Sequence, residues 1–123
     1  MSTWTAQTAR ALADPQEIQI STRRPDGTLR RPTTIWIVRD GDRVFVRSTN
    51  GRTAAWFRGA TATGAGQIEA RRVTHDVTFT EVSGGDLDLV DAAYRVKYGQ
   101  YASIVDHLVS AEPRAATLEV HPA

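Results

Sequence analysis

The sequence predicts a small, β-rich α+β domain, an antiparallel barrel with short flanking helices. Three observations carry this. Segments of alternating polarity recur along the chain, at residues 17–24, 33–39, 43–48, 67–72, 73–82 and 116–120. Turn signals with a backbone mechanism, Pro25-Asp26-Gly27 and Asp40-Gly41, separate the first three into a meander. Helical spacing is confined to a few stretches that do not alternate with every strand, which speaks against a doubly wound sheet or a sandwich and for a closed barrel.

The totals agree. A chain of 123 residues makes one domain, 1–123, with a single hydrophobic core. Its 41% hydrophobic and 24% charged residues are ordinary for a globular protein. A net charge of +1 gives no case for a nucleic-acid or membrane partner. The absence of cysteine excludes disulfides, thiol catalysis and zinc–thiolate sites. MSTWTAQTARALADP lacks a long apolar run and a cleavage site, and no stretch approaches membrane-spanning length, so the expected location is cytoplasmic.

In chain order, Thr3 or Thr5 caps a helix from about Ala6 to Ala13, with Ala9 and Leu12 on its buried side and Asp14-Pro15 ending it. Trp4 reads as a staple or lid folded back on the core. Ile18, Ile20 and Thr22 form the buried face of a half-buried strand. After the Pro-Asp-Gly turn, TTIWIVR is the second strand, and Asp40-Gly41 turns it into the third, RVFVRS. There Val44 and Val46 alternate with Phe45 and Arg47, as in a strand packed on both sides or at a sheet edge. Ser48-Thr49-Asn50-Gly51 stops the strand, and a helix follows from Thr53 to Ala62 with Ala54, Phe57 and Ala60 on one face.

Gly64-Ala65-Gly66 ends that helix. Residues 67–72 and 73–82 are either one bent strand or a pair joined near Arg71-Arg72, with Val73, His75, Val77 and Phe79 on one face. Asp86 to Tyr98 is the strongest helix: Val90, Ala93, Tyr94, Lys97 and Tyr101 share a face, and its early aspartates suit the helix dipole. Ala102 to Leu108 adds a turn or two, Glu112-Pro113 is a break, and ATLEV is the final strand.

Arg47, Arg52 and Arg58 surround the strand-to-helix junction at residues 47–53. Free N–H groups and a partial positive charge at a helix start favour an anion, and arginines beside them grip phosphate with paired donors. The same residues read equally as a solvated turn with a helix cap.

IQISTRRPDGTLRRPTTIWIVRDGDRVFVRSTNGRTAAWFRG resembles the flavin- and deazaflavin-binding split barrels, the pyridoxamine-phosphate oxidase-like proteins. Taken with DAAYRVKYGQY and the closing ATLEVHP, the chain from Trp4 to Pro122 is similar to a domain-of-unknown-function family placed beside them. The resemblance implies a six-stranded split β-barrel, usually a homodimer, with cofactors in grooves at the subunit interface. It implies FMN or an F420-like deazaflavin, and some proteins of this fold have lost the cofactor. Carried over position by position, it places the phosphate at Arg47, Ser48, Asn50 and Arg52, with Trp56 nearby. Thr22 and Arg23 would lie near the ring, and Trp36 would flank the groove. Asn50-Gly51-Arg52 matches the family's Gly/Ser-Arg/Lys context only approximately.

Tyr94, Lys97 and Tyr98, with Tyr101, share a helix side and admit two readings. In one they line a substrate pocket, with a tyrosine as proton donor and Lys97 holding an anion. In the other, which is preferred, the tyrosines pack the helix on the barrel and Lys97 extends into water. His75 is read as a core or interface histidine; His107 and His121 have no partner in sequence. No metal-ligand spacing is present, and the serines lack a nucleophile-elbow context. Arg23-Arg24 and Arg30-Arg31 are read as hairpin-tip solubility or protection of a strand edge rather than a nucleic-acid clamp. The leading function is a flavin- or deazaflavin-binding oxidoreductase of unassigned substrate, in which no side chain is strictly catalytic. The alternative is a non-enzymatic ligand-binding or structural dimeric module of the same fold.

Overall fold

In the computed structural model, which describes residues 3–123, the strand predicted over 33–39 is divided at Trp36. Its halves, β2 (Thr33–Ile35) and β3 (Ile37–Asp40), pair with different neighbours: β2 with β1 (Ile18–Thr22), and β3 with β4 (Arg43–Arg47). With β5 (Ala65–Ala70), β6 (Val73–Glu81) and β7 (Thr117–Pro122), the sheet order is β2-β1-β5-β6-β7-β4-β3. The two edge strands are therefore neighbours in sequence, and the bend at Trp36 joins them into a nearly closed barrel. Every strand pairing is antiparallel. The expected six strands become seven only because the second is counted twice.

Alternation sorts the side chains into two cores. Ile18, Ile20, Ile37, Val44, Val46, Ile68, Leu118 and Val120 fill the barrel interior. Phe45 and Val38 point outward, into a second cluster with Val90, Tyr94, Tyr98 and Leu108. β4 is thus packed on both faces, the first of its two expected arrangements. Burying Phe45 completely contributes about 2 kcal/mol.

The helices cover the barrel. α1 (Ala6–Ala13) buries Ala9 and Leu12, and its first turn is capped by Thr5, whose Oγ1 accepts from Thr8 N–H at 3.1 Å. Trp4 folds back on the core as expected, its indole N–H donating to Val120 O at 2.8 Å. A 3-10 turn at Gly51–Thr53 precedes α2 (Ala55–Thr63), which starts two residues later than predicted. α2 ends at Gly64, whose φ of 70° suits a residue without Cβ. α3 (Asp86–Tyr98) and α4 (Ala102–Leu108) fall where the periodicity places them. The predicted break at Glu112-Pro113 is instead one helical turn, α5 (Ala111–Arg114), because proline is tolerated where no intrahelical N–H bond is due.

Two turns differ in detail. The β3–β4 loop is Gly41-Asp42, since Asp40 pairs with Arg43; the positive φ falls on the first loop residue, as in a type II′ hairpin. β5 and β6 are a pair, and Ala70 opposite Val73 leaves Arg71-Arg72 as the whole loop. Both arginines have positive φ, 51° and 68°, the pattern of a type I′ turn that favours Asn-Gly. The double variant Arg71→Asn/Arg72→Gly is expected to raise unfolding stability by about 1–2 kcal/mol, read as a higher urea midpoint at unchanged slope.

Candidate functional site

The β3–β4 ladder ends at Ile37 opposite Val46, and there the strands part. Continued, the register would set Ile35 against Ser48. Instead a groove of about 370 Å³ opens between them. Thr33, Thr34, Ile35 and Trp36 all line it. Successive residues of a strand point to opposite faces, so four in a row meet the groove only if the strand presents its edge. That edge carries N–H and C=O groups that no other strand takes up. The opposite wall is Ser48, Thr49 and Asn50, followed by Ala54 and Trp56 at the start of α2. Ile104 and Leu108 of α4 close one side, and Glu17 lies at the start of β1.

Ser48 is the most informative residue here. Its backbone is satisfied: N–H donates to Ala116 O at 3.0 Å, and C=O accepts from Gly51 N–H at 3.1 Å. Its Oγ is buried without any hydrogen-bond partner. A buried hydroxyl left unpaired costs about 1–3 kcal/mol, which a ligand atom in the groove would offset. Trp36 supplies an aromatic wall, stacked on Tyr98 with ring centroids 3.9 Å apart and planes 3° from parallel.

The structure brings Trp36, Ser48, Asn50 and Trp56 together in this groove and places the other predicted residues elsewhere. Arg47, in step with Phe45, points beneath α3. Its guanidinium has no exposed surface: it bonds Asp91 Oδ1 at 2.5 Å, Leu108 O at 3.1 Å and Thr117 Oγ1 at 2.8 Å. Arg114 reaches the other oxygen of Asp91. Arg52 turns to Glu81 (2.6 Å) and Ala115 O (2.8 Å), and this contact holds the Glu81 carboxyl below its usual range. Thr22 packs under α2, where a Cβ at Gly59 would collide with Thr22 Oγ1 and lie 2.9 Å from Arg30 Nε. Arg23 bonds Gly27 O at 2.8 Å and lies 3.4 Å from Asp76.

The α3 cluster has a packing geometry. Tyr94 is fully buried, and burial pushes its phenol pKa up. Lys97 does not extend into water: Nζ donates to Ala13 O, Pro15 O and Ile37 O, each at 2.6 Å, while burial pushes its pKa down to about 8. Tyr98, pushed up to about 12 by burial, keeps its proton and donates to Gln16 O at 2.6 Å. A larger groove, about 500 Å³, lies beside α3 near Val96, but none of the described residues that line it has a buried side-chain polar atom without a partner.

The sequence reading missed Glu17, the Thr33–Ile35 edge and the α4 residues Ile104 and Leu108. Edge-on exposure of a strand leaves no periodic signal. α4 reaches the groove only through long-range packing.

Replacing Arg47 with Met leaves Asp91 without its deepest partner and is expected to cost about 3–5 kcal/mol. The pair Arg47→Met/Asp91→Leu should recover most of that loss in chemical denaturation, because the stranded charge is gone.

A family model described as an uncharacterized protein conserved in bacteria, DUF2255, matches residues 8–120, and the chain belongs to that family. No curated protein matches the chain. Among solved structures it is similar to an F420-H2 dependent reductase, FDR-A, with 14% identity, TM-score 0.65, and coverage of 86% of this chain and 94% of that one. It is similar to HutZ, the heme storage protein of Vibrio cholerae, with 15% identity, TM-score 0.66, and coverage of 95% and 87%. It is also similar to a FAD-binding protein of Mesorhizobium loti, with 15% identity, TM-score 0.56, and coverage of 98% and 89%. At these identities the likeness is one of fold, and the fold is the split barrel expected from the sequence.

Proposed function

We propose that this member of the DUF2255 family binds a planar heteroaromatic cofactor, a flavin or deazaflavin, in the split of its barrel and serves as an oxidoreductase. One observation carries the reading: Ser48, whose buried Oγ has no partner, lines a groove that also holds Trp36, Trp56 and an open strand edge. A flat ring system whose edge alternates donors and acceptors fits such a place. Aromatic walls take its faces, and unpaired backbone groups with a buried hydroxyl take its edge. Fold-mates named for F420, FAD and heme support a planar ring in this fold.

The donor set favours a flavin-type ring over heme. Among the described residues lining the groove there is no His, Cys, Met or Tyr to ligate iron. His107 lies next in sequence to the lining residue Leu108, and its Nε2 is 2.7 Å from Thr49 O. A bound flavin or deazaflavin would supply hydride chemistry, and the protein's part would be to hold the ring and exclude water. A homodimer, whose second copy completes the groove, belongs to the same proposal.

The non-enzymatic alternative is favoured by one fact: Arg47 and Arg52, the cations nearest the junction, are committed to Asp91 and Glu81. Titration with FMN and with F420, followed by quenching of tryptophan fluorescence and by the visible spectrum, separates the two. The oxidoreductase reading expects saturable binding that weakens about tenfold or more in Trp56→Ala and in Ser48→Val, whose added methyl groups fill the orphan hydroxyl's space. A protein that binds neither sinks the cofactor reading and leaves the non-enzymatic module.

A further inference from the structure

The charge distribution in the groove goes beyond the identity of its ring-shaped ligand. Among the described residues that line it, Glu17 is the one charged side chain. Ile18 pairs with Ile35, so Glu17 falls at the Trp36 end. Its charge reaches the Tyr98 phenol, the ring stacked on Trp36. Glu17 is exposed and makes no ion pair with any described residue. It is an acceptor-only group at the mouth of an aromatic slot.

At the other end the donors are neutral: the Ser48 hydroxyl, the Thr49 hydroxyl and the Asn50 amide. Of the three arginines around the junction, Arg58 is exposed on α2 and is not among the residues that line the groove, and the other two are not in reserve. Withdrawing Arg47 would take from the buried Asp91 its deepest partner and leave it to Arg114, and withdrawing Arg52 would break its bonds to Glu81 and Ala115 O. Phosphate recognition usually rests on a bidentate arginine or a lysine. Among the described residues neither lines this groove, and the one charged side chain that does, Glu17, repels an anion.

We propose that the split reads its ligand as an uncharged or cationic heterocycle, through a donating N–H edge turned to Glu17, and that a phosphate on the ligand adds little to binding. This rests on the flavin reading and sharpens it: the ligand class is the ring with its polar edge, not the phosphate ester.

The test compares FMN with riboflavin, which lacks the phosphate, on the full chain. The inference expects dissociation constants within about threefold of each other, unchanged in Arg52→Ala. It expects Glu17→Gln to weaken both ligands by a similar factor, about three- to tenfold, and Glu17→Lys to turn the preference toward FMN. A preference for FMN above about thirtyfold overturns the inference and leaves the flavin reading intact. If that preference survives in Arg52→Ala, the phosphate is held by the α2 start. Glu17→Gln without effect on either ligand removes Glu17 as the reader and overturns the inference. Binding of neither ligand overturns the flavin reading and the inference together.

Discussion

The barrel closes at a single bend, and the last turn of α3 holds it. At Trp36 the chain leaves the β1 side of the sheet and joins the β4 side, so the backbone of Ile37 cannot find its ladder partners on both flanks. Tyr98 and Lys97 supply them. Ile37 N–H donates to the Tyr98 hydroxyl at 3.3 Å, and Ile37 O accepts from Lys97 Nζ at 2.6 Å. The Tyr98 ring stacks on Trp36, and Lys97 also gathers the carbonyls of Ala13 and Pro15 behind α1. Three segments far apart in sequence, the end of α1, the bend and the end of α3, therefore meet on two side chains. An unpaired backbone group in the interior costs as much as a lost hydrogen bond, so neither side chain is free for another task.

The groove is a consequence of the same bend. Because β2 and β3 diverge, β4 loses its neighbour after Val46, and Ser48 to Asn50 face an open edge. A regular barrel would have paired that edge and left no site. The orphan hydroxyl of Ser48 sits beside that opening; the other buried side-chain atoms without a partner among the described residues, Thr22 Oγ1, Arg30 Nε and the Tyr94 hydroxyl, belong to residues that do not line it. The backbone of Ser48 is held on both sides while its buried Oγ finds no hydrogen-bond partner among the described residues.

Much of this was legible in the sequence, for reasons that differ by element. The α3 and α4 boundaries and the buried face of β1 follow from periodicity, which burial enforces locally. The strand-to-helix junction was legible from its turn residues, and four of its predicted neighbours do meet in the groove. The bend at Trp36 was not: TTIWIVR alternates as one strand, and only the competing partners β1 and β4 divide it. Nor was the fate of Lys97. A lysine on a helix face usually extends to solvent, and only the carbonyls delivered by α1 and β3 draw it inward. Arg71-Arg72 shows the reverse, a turn whose register overrides the preference of its residues against positive φ.

Arg47 shows how strand parity divides structure from function at one junction. Residues 44 and 46 face the barrel interior, so 45 and 47 must face α3. The parity that sends Phe45 into the outer core sends the guanidinium after it, where a charge survives only against Asp91 and a shell of carbonyls. Moving the arginine one position along the strand would deliver it to the groove and leave the buried Asp91 to Arg114, without its deepest partner. The ion pair under α3 and a phosphate-gripping arginine in the split are thus alternatives for this residue. The chain has the first, and that choice makes the neutral hydroxyls, the strand edge and the lone carboxylate of Glu17 the features a ligand meets.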